Sequence, residues 1–272
     1  MKKIILSLFL LLMAAVASAQ FYVRANVGYN IPVNNDLIGQ NYSYANADAG
    51  YVEKFKSVYG SYGAGTSIRA AVGGSLSNGI FGYDVEVGYL FGKQYTYTNS
   101  YQYSESEGSV KTTRSAKSFQ ISPSFTFTTG DGKFQPFARV GPVLAVSSIQ
   151  QKQNTDSDYG TQKYSEVLQY KYSGGISVGF KGAIGVSYSI APKMQLYAEV
   201  DFVSLSYSPS KRKTTKYDVN GQDSLGNIPD DQKEIDLKKE FETVSEEGEP
   251  PMRESYSMGS AGLQFGVKFT LK

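Results

Sequence analysis

The sequence predicts an all-β fold: an eight-stranded antiparallel up-and-down transmembrane β-barrel, with long extracellular loops at one end and short periplasmic turns at the other. Three observations predict it. Strands of alternating polarity are joined in order by long, short, long, short, long, short and long segments, the rhythm that such a barrel requires. Beyond Ala19 no apolar run approaches the ~20 residues of a spanning helix, and a chain that crosses lipid without one must close into a barrel to satisfy its backbone groups. Composition agrees. The 28 Gly suit curved, closely packed barrel strands, and the 22 Tyr and 15 Phe favour a membrane boundary.

The leader precedes the fold. Lys2 and Lys3 form a positive start, Ile4 to Val16 is apolar, and Ala17-Ser18-Ala19 supplies small residues for a signal peptidase. The expected organisation is a signal peptide over 1–19 and an outer-membrane barrel domain over 20–272, with the mature chain starting at Gln20. No cysteine follows the cleavage site, so attachment of a lipid through cysteine is excluded. Loss of Lys2 and Lys3 leaves 25 of the 27 basic residues against 25 acidic ones. A neutral chain argues against nucleic acid as a partner.

The first strand runs from Phe21 to Tyr29, with Phe21, Val23, Ala25, Val27 and Tyr29 on one face and Arg24 and Asn26 on the other. A first outer loop follows from Asn30 to about Gly63, with a helical turn or two expected over Tyr51 to Tyr59. The second strand, about Ala64 to Leu76, sets Ile68, Ala70, Val72 and Leu76 against Arg69, and Ser77-Asn78-Gly79 makes a tight turn. In the third, Phe81, Tyr83, Val85, Val87, Tyr89 and Phe91 alternate with Gly82, Asp84, Glu86 and Gly88. The alternation continues through Tyr95, Tyr97, Tyr101 and Tyr103, so this hairpin should project beyond the membrane before turning near Glu107-Gly108.

The fourth strand returns with Phe119, Ile121, Phe125 and Phe127, and Gly130-Asp131-Gly132-Lys133 closes its hairpin. The fifth, Phe134 to about Val146, sets Ala138, Val140, Leu144 and Val146 against Arg139; Pro136 and Pro142 each forgo a backbone donor, which a barrel strand accommodates only locally. A third outer loop is expected from Ser147 to about Tyr172. The sixth strand carries Ile176, Val178, Phe180, Ile184, Val186, Tyr188 and Ile190 against Lys181, then turns at Ala191-Pro192-Lys193. The seventh sets Leu196, Ala198, Val200 and Phe202 against Glu199 and Asp201.

The last outer segment, about Leu205 to Ser255, is basic first (Lys211, Arg212, Lys213, Lys216) and acidic later (Glu246, Glu247, Glu249). It reads as a solvated mobile loop in which Asn220-Gly221 turns a projecting hairpin. It lacks an apolar alternating face, which favours eight membrane strands over ten. The eighth strand ends the chain with Ala261, Leu263, Phe265, Val267, Phe269 and Leu271 opposite Lys268. Its alternating aromatics suit recognition by the barrel-assembly machinery.

Parity assigns Arg24, Arg69, Arg139, Lys181 and Lys268, together with Asp84, Glu86, Glu199 and Asp201, to one face. In a small barrel that face fills the lumen, and buried charges need partners. A charge-paired plug is therefore expected, with a narrow gated conduit as the second reading.

Catalytic residues are not expected. The chain contains no His and no Cys, which removes the usual general base and the usual metal ligands. Asp156 with Asp158, and Asp230 with Asp231, are acid pairs better read as solvated than as calcium ligands, and no cofactor is expected. The glycines from Gly60 to Gly65 and at Gly73-Gly74 lack the strand-then-helix setting of a nucleotide site.

The leader, the Tyr59-Gly60-Ser61-Tyr62-Gly63-Ala64-Gly65 entry to the second strand, the Asp84-to-Phe91 strand, and the loop from Ser208-Pro209-Ser210-Lys211 to Asn220-Gly221 together resemble the outer-membrane β-barrel family widespread in Bacteroidota. That family is similar to the small OmpA-type and OmpX-type barrels. The resemblance implies an integral outer-membrane protein, often with no assigned activity, and no peptidoglycan-binding domain is expected after the eighth strand. Its partners would be outer-membrane lipid, the assembly machinery during insertion, and an extracellular ligand of the loops. Two functions follow: an adhesion-like surface-interaction protein acting through Tyr-rich loops, or a small porin-like channel for ions or small solutes.

Overall fold

The computed structural model describes residues 20–33, 35–47, 50–76, 79–103, 106–130, 132–238 and 252–271. The leader, Ser77 and Asn78 of the tight turn, Asp131, and the acidic residues Glu246, Glu247 and Glu249 lie outside the described residues. In chain order the strands are β1 Gln20–Pro32, β2 Asp36–Ala47, β3 Gly50–Gly60, β4 Gly65–Ser75, β5 Phe81–Gly92, β6 Tyr95–Gln102, β7 Glu107–Thr128, β8 Phe134–Asp158 and β9 Lys163–Ser173. They continue with β10 Ser177–Ala191, β11 Met194–Ser204, β12 Ser206–Tyr207, β13 Lys211–Val219, β14 Gln222–Asp223, β15 Glu234–Asp236, β16 Tyr256–Ser257 and β17 Ser260–Thr270.

Eight of these, β1, β4, β5, β7, β8, β10, β11 and β17, form a closed antiparallel barrel, each paired with the next and β17 closing on β1 from Tyr22↔Thr270 to Pro32↔Ser260. Period-two patterning sorts the side chains. Phe125 is 77% exposed, Ile184 68% and Val72 61%, all pointing outward, while Arg24, Arg69, Asp84, Glu86 and Gln264 are buried inside. An apolar outside and a polar inside invert the arrangement of a water-soluble barrel and fit a lipid surround. Small residues make room for large ones on neighbouring strands: a Cβ at Gly266, opposite Tyr197 in register, would lie 2.6 Å from the Tyr197 ring. The prolines interrupt pairing locally but do not shift register, which is the same on both sides of the gap. The β7–β8 ladder is interrupted between Ile121↔Leu144 and Phe125↔Val140, where Pro123 and Pro142 lack donors.

Three expected loops are instead strands. Tyr51 to Tyr59 belongs to β3, paired with β2 from Asp36↔Gly60 to Ala47↔Gly50, rather than to a helical turn. Ser147 to Tyr172 is the outer half of β8 hairpinned to β9. The basic part of the last segment is β13, paired along β9 from Lys211↔Ser173 to Val219↔Glu166, rather than a free loop. Asn220 (φ 51°) and Gly221 (φ 80°) turn β13 into β14, the left-handed pair that a two-residue hairpin needs. Together β3, β2, β6, β7, β8, β9 and β13 make an outer sheet projecting from one end of the barrel, with β2 parallel to β6. The twelve residues of β8 beyond Val146 carry the sheet roughly 40 Å along the strand. The β6–β7 hairpin projects as its alternating tyrosines predict, whereas in β3, β9 and β13 polar residues occupy both faces, so no apolar alternation marks them.

Candidate functional site

Closure brings eight of the nine charged lumen residues into one layer. Arg24 Nε lies 2.9 Å from Asp84 Oδ2 and its Nη2 2.7 Å from Glu86 Oε2. Arg69 Nη1 is 2.6 Å from Asp201 Oδ2. Arg139 donates to Glu86 at 3.3 Å and also to Glu199, and Lys181 donates to Glu86 and lies 3.8 Å from Asp201. Four cations thus face four carboxylates, every one of them buried. The mutual pairing is what a low-dielectric interior demands, since a lone buried charge costs several kcal/mol.

Lys268 departs from the expected network. It shares the lumen face but stands opposite Arg24 and Gln195 in register, and its Nζ sits 4.2 Å from the centre of the Tyr22 ring, with no carboxylate of the described residues at ion-pair distance. A cation over an aromatic face is a weaker arrangement. The turn end below it opens as a vestibule of about 580 Å³ around Gln20, Gln135, Gln195 and Lys268. At Tyr22, Arg139, Tyr197 and Glu199 the space narrows to about 40 Å³.

Neutral residues complete the layer, and charge counting alone passed over them. Gln264 donates to Asp201 at 3.1 Å and to Asn30 at 2.9 Å and accepts from Ser67 at 3.2 Å. Asn26 donates to the Tyr197 hydroxyl at 2.9 Å. Their inward parity was available as a signal, but polar neutral residues carry no sign to match.

Above the charged layer lies a second closure that no sequence pattern announced. Leu90, Val143, Ala145 and Val203 from the barrel wall pack with Ile38 of β2 and Ile149 of β8 in the outer sheet and with Tyr62, Leu205, Tyr207 and Met258 from the connections at the sheet end. Tyr207 and Val143 are fully buried and Met258 is 1% exposed. Backbone bonds pin the pieces: the Tyr62 N–H donates to Ser257 O at 2.9 Å and the Met258 N–H to Leu205 O at 2.9 Å. Burial pushes the Tyr62 and Tyr207 phenols up to about 12, against the opposing pull of Arg114 and Arg253 respectively.

From this seal, aromatic rings continue onto the lumen-side face of the outer sheet. Tyr95, Tyr62, Tyr256, Tyr172 and Tyr170 follow one another at 5.5 to 6.4 Å between centres, and Arg212 stands 4.9 Å over Tyr170. Nearer the tip, Tyr51, Tyr44, Tyr103 and Tyr101 form a second run at 5.1 to 5.6 Å. Tyr42 packs on Phe55 at 4.9 Å, and Arg114 lies 5.8 Å over Tyr97. A cleft of about 830 Å³ opens between Tyr44, Tyr101 and Tyr164 at the tip. Of the acid pairs, Asp156 and Asp158 line this cleft, with Asp158 3.3 Å from Lys163, and Asp230 pairs with Lys233 at 2.8 Å.

The fold is an eight-stranded closed antiparallel barrel. No family model matches the sequence, and no curated protein matches it. Among solved structures it is similar to neisserial surface protein A, at 13% identity over 92% of this chain and 97% of that one, with a TM-score of 0.39. It is also similar to the outer membrane protease OmpT from Escherichia coli, at 7% identity over 93% and 96%, TM-score 0.25. A third is a deletion mutant of the monoaromatic hydrocarbon channel TodX, at 9% identity over 93% and 90%, TM-score 0.18.

Proposed function

We propose that this chain is an integral outer-membrane surface protein that engages an extracellular partner through the tyrosine-lined face of its outer sheet, with the lumen serving as a structural plug. One observation carries the reading: the lumen is closed twice, by a neutral ion-paired layer and by an apolar seal, whereas the aromatic face lies beyond both closures. The exposed apolar belt supports insertion in lipid. The leader and the short turns support an orientation with the sheet outside the cell. Half-buried tyrosines offer flat apolar faces and phenol hydroxyls at low conformational cost, a chemistry suited to sugar rings or extended polypeptide.

The test pairs conductance with binding. Native protein refolded in planar bilayers should be silent, and Glu86→Gln should not create regular steps. Cells displaying the native chain should bind members of a panel of matrix proteins and glycans, and Tyr44→Ala with Tyr101→Ala should abolish that binding while barrel mobility on gels stays native. Steady discrete openings that change size in Glu86→Gln would overturn the plug and promote the channel.

A further inference from the structure

The opposite face of the outer sheet, pointing away from the lumen axis, carries a different chemistry. On β7 the outward apolar series ends at Phe119, and the next outward residue is Lys117, opposite Phe91 on β5 and Ser148 on β8. One row further out, Lys171 on β9 stands between Gln150 on β8 and Lys213 on β13. The next row places Lys152 between Thr113 and Gln169. All four lysines are exposed. Among the described residues, Lys117, Lys152 and Lys171 have no carboxylate at ion-pair distance, while Glu234 lies 3.8 Å from Lys213.

On β7 and β8 the acids of this face are displaced to the far tip, where Glu107 stands opposite Asp158 and Asp156 precedes it by two residues, while at the sheet edge Glu234 and Asp236 of β15 stand opposite Lys213 and Lys211. Charge is therefore graded along β7 and β8, basic beside the apolar belt and acidic away from it. Lys171 stands directly opposite Lys213, an unfavourable like-charge pair that Glu234 meets only from the far side of Lys213, and an anion beside Lys171 would relieve it. A groove of about 560 Å³ runs over this surface, lined by Lys111, Lys152, Lys171 and the side-chain donors Thr113, Gln150 and Thr215.

We propose that this lysine face is a docking surface for phosphate-bearing, net-anionic headgroups of the leaflet that the apolar belt enters. Position decides the occupant. Lys117 lies about 7 Å along its strand beyond Phe119, and the Lys171 row roughly 13 Å beyond Val146, depths at which a bilayer presents headgroups rather than hydrocarbon or bulk water. Long lysine stems reach toward that layer, and the hydroxyl and amide donors match phosphate oxygens.

The inference rests on the membrane reading above, and the experiment separates the two. Native protein would be reconstituted in phosphatidylcholine vesicles, and the association of spin-labelled phosphatidylglycerol compared with that of spin-labelled phosphatidylcholine. The anionic lipid should associate roughly five-fold more strongly, and Lys117→Gln/Lys171→Gln/Lys213→Gln should bring the ratio close to unity. Lys54→Gln/Lys163→Gln, at the tip of the sheet, should leave it unchanged. Insertion with equal association of the two lipids, or an equal loss in the tip variant, would overturn this inference alone. Failure to insert into any vesicle would remove both it and the membrane reading.

Discussion

Arg69 on β4 reaches Asp201 on β11, Nη1 to Oδ2 at 2.6 Å, so one ion pair ties together walls that are separated by β1 and β17 and share no ladder. Both residues are buried, and Gln264 supports the same carboxylate from β17. The charged layer is thus a set of cross-braces inside a cylinder whose hydrogen bonds run only between neighbours.

Removing one end of a brace leaves its partner charged and buried. Arg69→Met should lower the stability of the refolded barrel by about 3–5 kcal/mol, and Arg69→Met/Asp201→Leu should recover most of the loss. Urea unfolding midpoints, followed by gel mobility, measure both. A single variant as stable as the native chain would mean that the layer is wet enough to leave charges unpaired.

The seal depends on close packing of segments far apart in the chain. Met258→Ala should cost about 2–4 kcal/mol through the cavity it leaves, and hydrogen exchange at the Tyr62 and Met258 amides should accelerate because their acceptors lie in the same seal. Unchanged exchange would show the seal to be held by the backbone bonds alone.

Alkaline pH should loosen the seal within a defined window. The Tyr62 and Tyr207 phenols, ordinarily 10.0, are pushed up to about 12 by burial. A raised phenol favours the folded state while neutral, so this stabilisation is complete below pH 10 and is lost as pH climbs from about 10 through about 12. Tyr62→Phe/Tyr207→Phe should flatten the loss of stability across that interval, and tyrosinate absorbance should show two late-ionising groups fewer. Ionisation of both residues together with the exposed tyrosines would refute the assignment.

Backbone proximity makes two glycines unequal. A Cβ at Gly141 would lie 2.0 Å from the Pro123 carbonyl oxygen, a main-chain atom that cannot swing aside, whereas at Gly182 the nearest atom is 3.9 Å away. Gly141→Ala should therefore cost about 1–3 kcal/mol and Gly182→Ala close to nothing, read from thermal midpoints in the same detergent. Equal midpoints would count against the tight β7–β8 approach.

Much of this was legible in the residues. Alternation from Phe81 to Phe91 and from Leu196 to Phe202 assigned Asp84, Glu86, Glu199 and Asp201 to a face, because a pleated strand sends successive side chains to opposite sides whatever it pairs with. The stretch from Ser147 to Tyr172 misled, since a strand solvated on both faces shows no apolar period. Its tyrosines at 164, 170 and 172 keep an even spacing that marks one side, but even spacing of polar aromatics is also common in loops. Lys268 misled differently: parity placed it on the lumen face, and only register put Arg24 beside it rather than a carboxylate.

By itself the sequence determined where the barrel strands lie, which face of each meets the apolar surround and which charges turn inward. These are local properties of the pleat. Tertiary structure alone decided that Arg69 meets Asp201, that Tyr62, Tyr207 and Met258 converge into a seal, and that β13 lies along β9 to extend the outer sheet. Each of those depends on strand stagger and closure, which bring together residues at least 38 positions apart and are encoded in no single stretch of chain.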